Sequence, residues 1–101
     1  MKVAISDAAY NDLTAIGRAI AKHNPERALS FMDELHNACF ELGEMPYAFA
    51  ELAMPDLNSV RRRPYGNYLI FYEIEDTTIY VSRVLHGARN YPRILRGKTG
   101  G

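Results

Sequence analysis

The side chains of this sequence best suited to bind anions or move protons are nine arginines, three histidines and seven tyrosines, with a single cysteine as the only thiol. Seven of the nine arginines lie after residue 60: Arg61, Arg62, Arg63, Arg83, Arg89, Arg93 and Arg96. A guanidinium presents a planar fork of donors that matches carboxylate and phosphate. Arg61 and Arg63 are two residues apart, so an extended segment puts them on one face and Arg62 on the other. Arg83 lies inside an otherwise apolar stretch, where a charge must reach solvent or be paired. His86 follows at the end of that stretch. Arg89 comes after Gly87-Ala88, where the chain leaves the sheet, and is open to either a surface role or a structural salt bridge. Arg93 belongs to the short basic, partly apolar segment Asn90 to Lys98. His86 and Tyr91 could do acid–base work, since histidine titrates in the useful range. His86 equally suits a hydrogen-bonded structural role at a strand end.

Other candidates have plainer readings. His23 and His36 fall on surface positions of helices, and with His86 they lack metal-ligand spacing. Cys39 stands at helical spacing from Leu35 and Leu42, as a core thiol does. One cysteine excludes an internal disulfide framework and any multi-cysteine zinc site. No metal and no cofactor is implied. Tyr68 and Tyr72 share a strand face, which could stack a base or line the inside of a sheet.

Charge is unevenly distributed. Residues 1–60 carry four Lys/Arg and nine Asp/Glu, a net of −5, and residues 61–101 carry eight and three, a net of +5. Either an acidic helical half rests on a basic sheet, or an Arg-bearing face awaits an acidic protein or a nucleic acid. With 101 residues, 48% of them hydrophobic, the chain reads as one domain with a real core, and residues 96–101 as a mobile tail. The longest uninterrupted apolar stretch, Tyr68 to Tyr72, is far short of the roughly 18 residues a membrane span needs. The start, MKVAISDAAYND, lacks the apolar core of a secretory signal. A cytoplasmic location and no membrane partner follow as expectations.

The elements that must position these groups show in the changing apolar period. Val3 and Ile5 alternate with polar or small neighbours, a short strand. Ser6 can cap a helix whose stripe is Ala9, Leu13, Ile16 and Ile20, ending near His23. Asn24-Pro25-Glu26 restarts a helix with the stripe Ala28, Phe31, Leu35, Ala38 and Leu42, which Gly43 and Pro46 end. So short a break predicts an antiparallel helical hairpin over about 7–43. Residues 44–59 lack a period and read as a surface loop. Val60 to Arg63 reads as a strand, Pro64-Tyr65-Gly66-Asn67 as a turn, and Tyr68 to Ile74 as a central strand, apolar on both parities. Thr78 to Leu85 is another strand, with Ile79 and Val81 on one face. Ile94 and Leu95 suit one turn of helix docked on the sheet. The predicted fold class is α+β: an N-terminal strand, then a helical hairpin packed on a mainly antiparallel sheet that ends in a three-strand meander.

The run from Asn67 to Pro92, NYLIFYEIEDTTIYVSRVLHGARNYP, resembles the C-terminal half of the RelE/ParE superfamily of bacterial toxins, specifically its ParE branch. Tyr68-Leu69-Ile70-Phe71-Tyr72 on one strand and the string Arg83-Val84-Leu85-His86-Gly87-Ala88-Arg89 carry the likeness. Asp12-Leu13, Asn24-Pro25, Pro46 and the Arg61-Arg62-Arg63 run agree in order. The resemblance implies the toxin of a type II toxin–antitoxin pair that binds DNA gyrase and poisons its cleavage–religation cycle. It also implies a cognate ParD-like antitoxin that folds around the toxin in a hetero-oligomer. Arg61, Arg63, Arg83, His86, Arg89 and Arg93 are then the expected partner-binding residues.

RelE-like members share the fold and cut messenger RNA on the ribosome, so the superfamily leaves two functions open. Such a ribonuclease activates a 2′-hydroxyl, stabilises the phosphorane charge and protonates the leaving oxygen. The resemblance places its central-strand Arg after Asn67-Tyr68, where this chain has Leu69. It places the basic pair beyond the fourth strand at His86 and Gly87. At least one anion-stabilising group is therefore absent, and no catalytic residue is assigned. Gyrase binding is the favoured reading, with the nuclease as the alternative.

Overall fold

The computed structural model of the protein describes residues 1–97. The elements in chain order are β1 (Lys2–Ile5), α1 (Asp7–Ala21), α2 (Pro25–Glu41), a single 3-10 turn (Pro55–Leu57), β2 (Arg61–Tyr65), β3 (Tyr68–Glu75), β4 (Thr78–His86) and α3 (Tyr91–Arg96). The four strands form one sheet in the order β1-β4-β3-β2. β1 lies parallel to β4, while β2–β3 and β3–β4 are antiparallel. This is the α+β arrangement that the change of period predicts.

Local chemistry starts and stops the helices. Ser6 Oγ accepts from the Ala9 N–H at 3.0 Å and Asn24 Oδ1 from the Arg27 N–H at 3.0 Å, so each caps an otherwise unbonded donor. Pro25 occupies the first turn of α2, where its missing N–H costs nothing. The hairpin covers one sheet face: Leu13, Ile16, Phe31, Leu35, Cys39 and Leu42 meet Ile70, Tyr72, Ile79, Val81 and Val84. Burying each large side chain there contributes roughly 1.5–3 kcal/mol.

The other sheet face is also covered. Leu52, Leu57 and Val60 close over Phe71 and Leu85, with Met54, Leu69, Tyr91, Ile94 and Leu95 packed around them. Residues 44–59 are thus not simply a surface loop. Phe71 and Tyr72 are apolar on opposite faces because each face has its own core, and that need draws Leu52 and Leu57 inward.

β2 runs to Tyr65, so Pro64 and Tyr65 belong to the strand and the turn shrinks to Gly66-Asn67. Proline is tolerated there because β2 is an edge strand and Pro64 need not donate outward. Gly66 takes φ +57, the left-handed conformation this tight turn requires.

β4 carries a bulge. Phe71 pairs with Arg83 but Tyr72 with Val81, leaving Ser82 as an extra residue. The bulge shifts the alternation by one, so Ile79 and Val81 before it and Val84 after it all face the helices. Without it, Arg83 would point into the core. Two serines hold the bulge: Ser6 Oγ donates to Ser82 O at 2.9 Å, and Ser82 Oγ to Phe71 O at 3.2 Å.

Candidate functional site

The arginines separate by what their guanidinium groups touch. Arg83 shares its register position with Phe71, yet its side chain reaches Asp12 on α1, with Nε to Oδ2 at 2.7 Å and Nη2 to Oδ1 at 2.8 Å. Asp12 Oδ2 also accepts the Val84 N–H at 2.9 Å. That N–H lies on β4 beyond the end of β1, whose last residue Ile5 pairs with Val81. The carboxylate therefore satisfies a strand edge that β1 no longer covers. The same hydrogen bonds raise the Arg83 pKa above its ordinary value.

Arg63 is held as firmly. Its Nη1 donates to Ala38 O at 2.8 Å and lies 3.0 Å from Glu41, and its guanidinium sits over the Phe49 and Tyr65 rings. Arg61 Nη1 donates to Phe49 O at 2.6 Å, and its guanidinium stands 5.2 Å from the centre of the Tyr47 ring. Arg62, on the opposite face, donates to the Tyr91 hydroxyl at 3.1 Å. Arg96 pairs with Asp56, whose pKa is lowered by that hydrogen bond. Arg96 thus closes α3, while the rest of the expected mobile tail, residues 98–101, lies outside the described residues.

Arg89 and Arg93 remain. Both are exposed, and neither guanidinium has a hydrogen-bond or ion-pair partner among the described residues. Arg89 stands in the turn after β4 and Arg93 in the first turn of α3. His86, also exposed, precedes them, with its ring edge-on to Tyr68 at 5.3 Å between centres. Its Nδ1 accepts the Ala88 N–H at 3.0 Å, which fixes the Nε2–H tautomer for a neutral ring. Arg89, His86 and Tyr68 line one side of a shallow groove of about 160 Å³ whose other wall is Ala15, Ile16 and Ala19 of α1.

Of the six residues expected to bind partners, His86 and Arg89 share this groove, and Arg93 is exposed separately in the first turn of α3. Arg61, Arg63 and Arg83 are engaged within the fold. The sequence reading missed the small-residue wall of α1, for which Ala15 and Ala19, four residues apart, were the available signal. Leu69 lies in the apolar cluster around Phe71 and Leu85, so nothing there replaces the missing strand cation. Tyr91 is bound by Arg62 through its hydroxyl and packs its ring 5.1 Å from that of Phe71. No group of three or more His, Cys, Asp and Glu able to hold a metal occurs among the described residues. Among the same residues, no helix is long and apolar enough to cross a membrane. Cys39 is fully buried and its thiol pKa is pushed up to about 11 by burial, so it is held protonated.

Comparison with known proteins adds the following. The family model described as ParE toxin of type II toxin-antitoxin system, parDE, matches residues 3–91. No curated protein sequence matches the chain. Among solved structures, the chromosomal ParDE toxin–antitoxin system from P. aeruginosa matches with a TM-score of 0.74 at 19% identity, covering 85% of this chain and 95% of that one. The toxin–antitoxin complex RelBE2 from Mycobacterium tuberculosis matches with a TM-score of 0.64 at 23% identity, covering 87% and 92%. At these identities, the two structures show a shared fold.

Proposed function

The chain belongs to the family of ParE toxins of type II toxin–antitoxin systems, and from that premise we propose that it acts by binding DNA gyrase and that a ParD-like antitoxin silences it by folding over the same basic surface. The observation that carries this reading is the state of the arginines after residue 60. Five have partners inside the fold, while Arg89 and Arg93 are exposed without one among the described residues. An exposed guanidinium at the mouth of a largely apolar groove, that of Arg89, with Arg93 exposed four residues on, suits an acidic, partly apolar chain segment. Such a segment orders as it binds, with a negative heat-capacity change from the apolar area buried.

A nuclease reading has less to work with. Leu69 offers no anion stabilisation, and losing one such group from a preorganised site typically costs on the order of 10²–10³ in rate. The Nδ1 lone pair of His86 is already taken by the Ala88 N–H. The residues favouring this second reading are Arg62 and Tyr91, which bring a cation and a phenol together at 3.1 Å.

Induction of the chain in bacteria without its antitoxin tests both readings. Gyrase–DNA cleavage complexes are expected, without ribosome-dependent mRNA cuts. The pair Arg89→Glu and Arg93→Glu is expected to weaken gyrase binding by at least about tenfold. Tyr91→Phe keeps the ring against Phe71 and is expected to leave toxicity intact. Ribosome-dependent mRNA cuts that vanish with His86→Ala would restore the nuclease reading.

A further inference from the structure

The two edges of the sheet are treated differently. The β2 edge is closed: Arg62 N donates to Ala50 O at 3.2 Å, Glu51 bridges to Arg61, and Pro64 has no N–H to leave open. The other edge is β1, parallel to β4 with Ile5 opposite Val81. Ser6 N donates to Val81 O at 3.0 Å. In a parallel ladder that bond aims the backbone of Lys2 and Ala4 at β4 and the backbone of Val3 and Ile5 outward. Val3 and Ile5 thus each present an N–H and a C=O that have no partner among the described residues. Before Val3 the edge is occupied. The Met1 ammonium donates to Gly43 O at 2.6 Å, and a Cβ on Gly43 would collide with Met1 O.

Exposed apolar groups gather around this open stretch. Among the described residues, six large hydrophobic side chains are exposed, and four of them border β1. Met1 precedes the strand, and Tyr80 stands beside Ala4 on β4. Tyr10 lies in the first turn of α1, directly after the strand, and Phe40 three residues before Gly43. Unpaired strand groups rimmed by apolar side chains mark a surface for pairing with another strand.

Charge indicates which strand. Lys2 and Asp7, at opposite ends of β1, are exposed without an ion-pair partner among the described residues. The Met1 ammonium and Glu44, both next to Gly43, offset one another, so Lys2 sets the sign at its end. Opposite charges at opposite ends suit the same strand turned end for end. We propose that β1 pairs antiparallel with β1 of a second copy, across a two-fold axis normal to the sheet at Ala4. Val3 of each copy then exchanges both of its free hydrogen bonds with Ile5 of the other. Lys2 lies opposite Ser6 of the other copy, one residue from its Asp7. The small Ala4 meets its own counterpart on the axis, a position where paired strands come within about 4.5 Å. The two sheets become one, and because both β2 edges are closed, assembly stops at two copies. The proposal does not depend on the gyrase reading.

Sedimentation velocity on the purified chain from about 1 to 500 µM spans the weak affinity expected of so short a contact. The expected result is a shift from 11.4 kDa toward twice that mass and no further. Val3→Pro removes an outward N–H and no bond to β4, so circular dichroism should be unchanged while the dissociation constant rises at least about tenfold. Lys2→Glu and Asp7→Lys should each weaken the dimer by about three- to tenfold, and the double variant should regain the native affinity. This charge exchange decides the matter by itself where Val3→Pro disturbs the fold. A chain monomeric throughout overturns the proposal, as do species larger than a dimer. So does a dimer that a folded Val3→Pro leaves unaltered, or a double variant no tighter than the single ones.

Discussion

Asp12 shows how much one side chain can hold. Its carboxylate takes two donors from Arg83 and a third from the Val84 backbone, joining α1 to the uncovered edge of β4. The pair is only partly exposed, at 28% for Arg83 and 11% for Asp12. Leaving such donors unsatisfied costs about 1–3 kcal/mol. Asp12→Ala should therefore lower Tm by roughly 4–24 °C, since each kcal/mol shifts a domain of this size by about 4–8 °C. Thermal unfolding of the variant, compared with the exposed Asp33→Ala, measures it. A loss no larger than that of Asp33→Ala would show that the three hydrogen bonds add nothing. Sequence alone establishes that Arg83 needs a partner, because a charge stands among apolar neighbours. It does not identify Asp12, 71 residues away. The same limit applies to Arg61 and Arg63. Their type suits an acidic partner, and only the packed loop and α2 reveal that backbone carbonyls already fill them.

Among the elements, β4 departs furthest from its pattern. Strict alternation from Ile79 and Val81 would carry Arg83 into the helix-facing core and turn Val84 out. The bulge at Ser82 resolves that conflict, and the conflict itself was the sequence signal for it. Deleting Ser82 removes only the extra residue, so Arg83 stays opposite Phe71, Val81 opposite Tyr72, and Val84 still faces the helices. The deletion should therefore keep the fold, whereas inserting one residue after Ser82 should drive Arg83 inward and abolish it. Ser82→Ala should cost only about 1 kcal/mol for one lost hydrogen bond. Circular dichroism and urea titration distinguish these outcomes. An insertion variant as stable as Ser82→Ala would mean that the register is set elsewhere. The helices were legible because caps and stripes are local. The segment 44–59 was not, because its order comes from outside it. Leu52 N donates to Val60 O at 2.8 Å and Arg62 N to Ala50 O at 3.2 Å, so β2 organises this strap and the strap closes the edge of β2.

For the molecule as a whole, the split between an acidic first part and a basic second part is largely a device of assembly. Among the described residues, three of the four ion pairs join the two parts: Arg63–Glu41, Arg83–Asp12 and Arg96–Asp56. Arg89 and Arg93 stand exposed outside these pairs and are the groups proposed above to meet a partner. The same distribution shapes stability against pH. Asp56 and Glu34 have pKa values lowered by hydrogen bonds from Arg96 and Arg27. A lowered carboxylate contributes stability that is present above its unfolded pKa, near pH 4, and lost as pH falls through the folded value. Both pairs are exposed, so this acid limb is shallow. The alkaline limb has another cause. Burial raises Cys39 from an ordinary value near 9 to about 11, and also raises Tyr72, whose hydroxyl donates to Pro46 O at 2.9 Å. A raised pKa means stability present below the unfolded value and lost as pH rises through the folded one, here from pH 9 upward. For the thiol, the full loss is roughly 3 kcal/mol. Urea titrations across pH should then give a plateau from about pH 5 to 9, with a steeper fall on the alkaline side. Added salt should flatten the acid limb, which rests on exposed charges, and leave the alkaline limb, which rests on burial. Cys39→Ala should remove the first part of the alkaline fall, between pH 9 and 11. An alkaline limb that survives this substitution unchanged would assign it to Tyr72 instead.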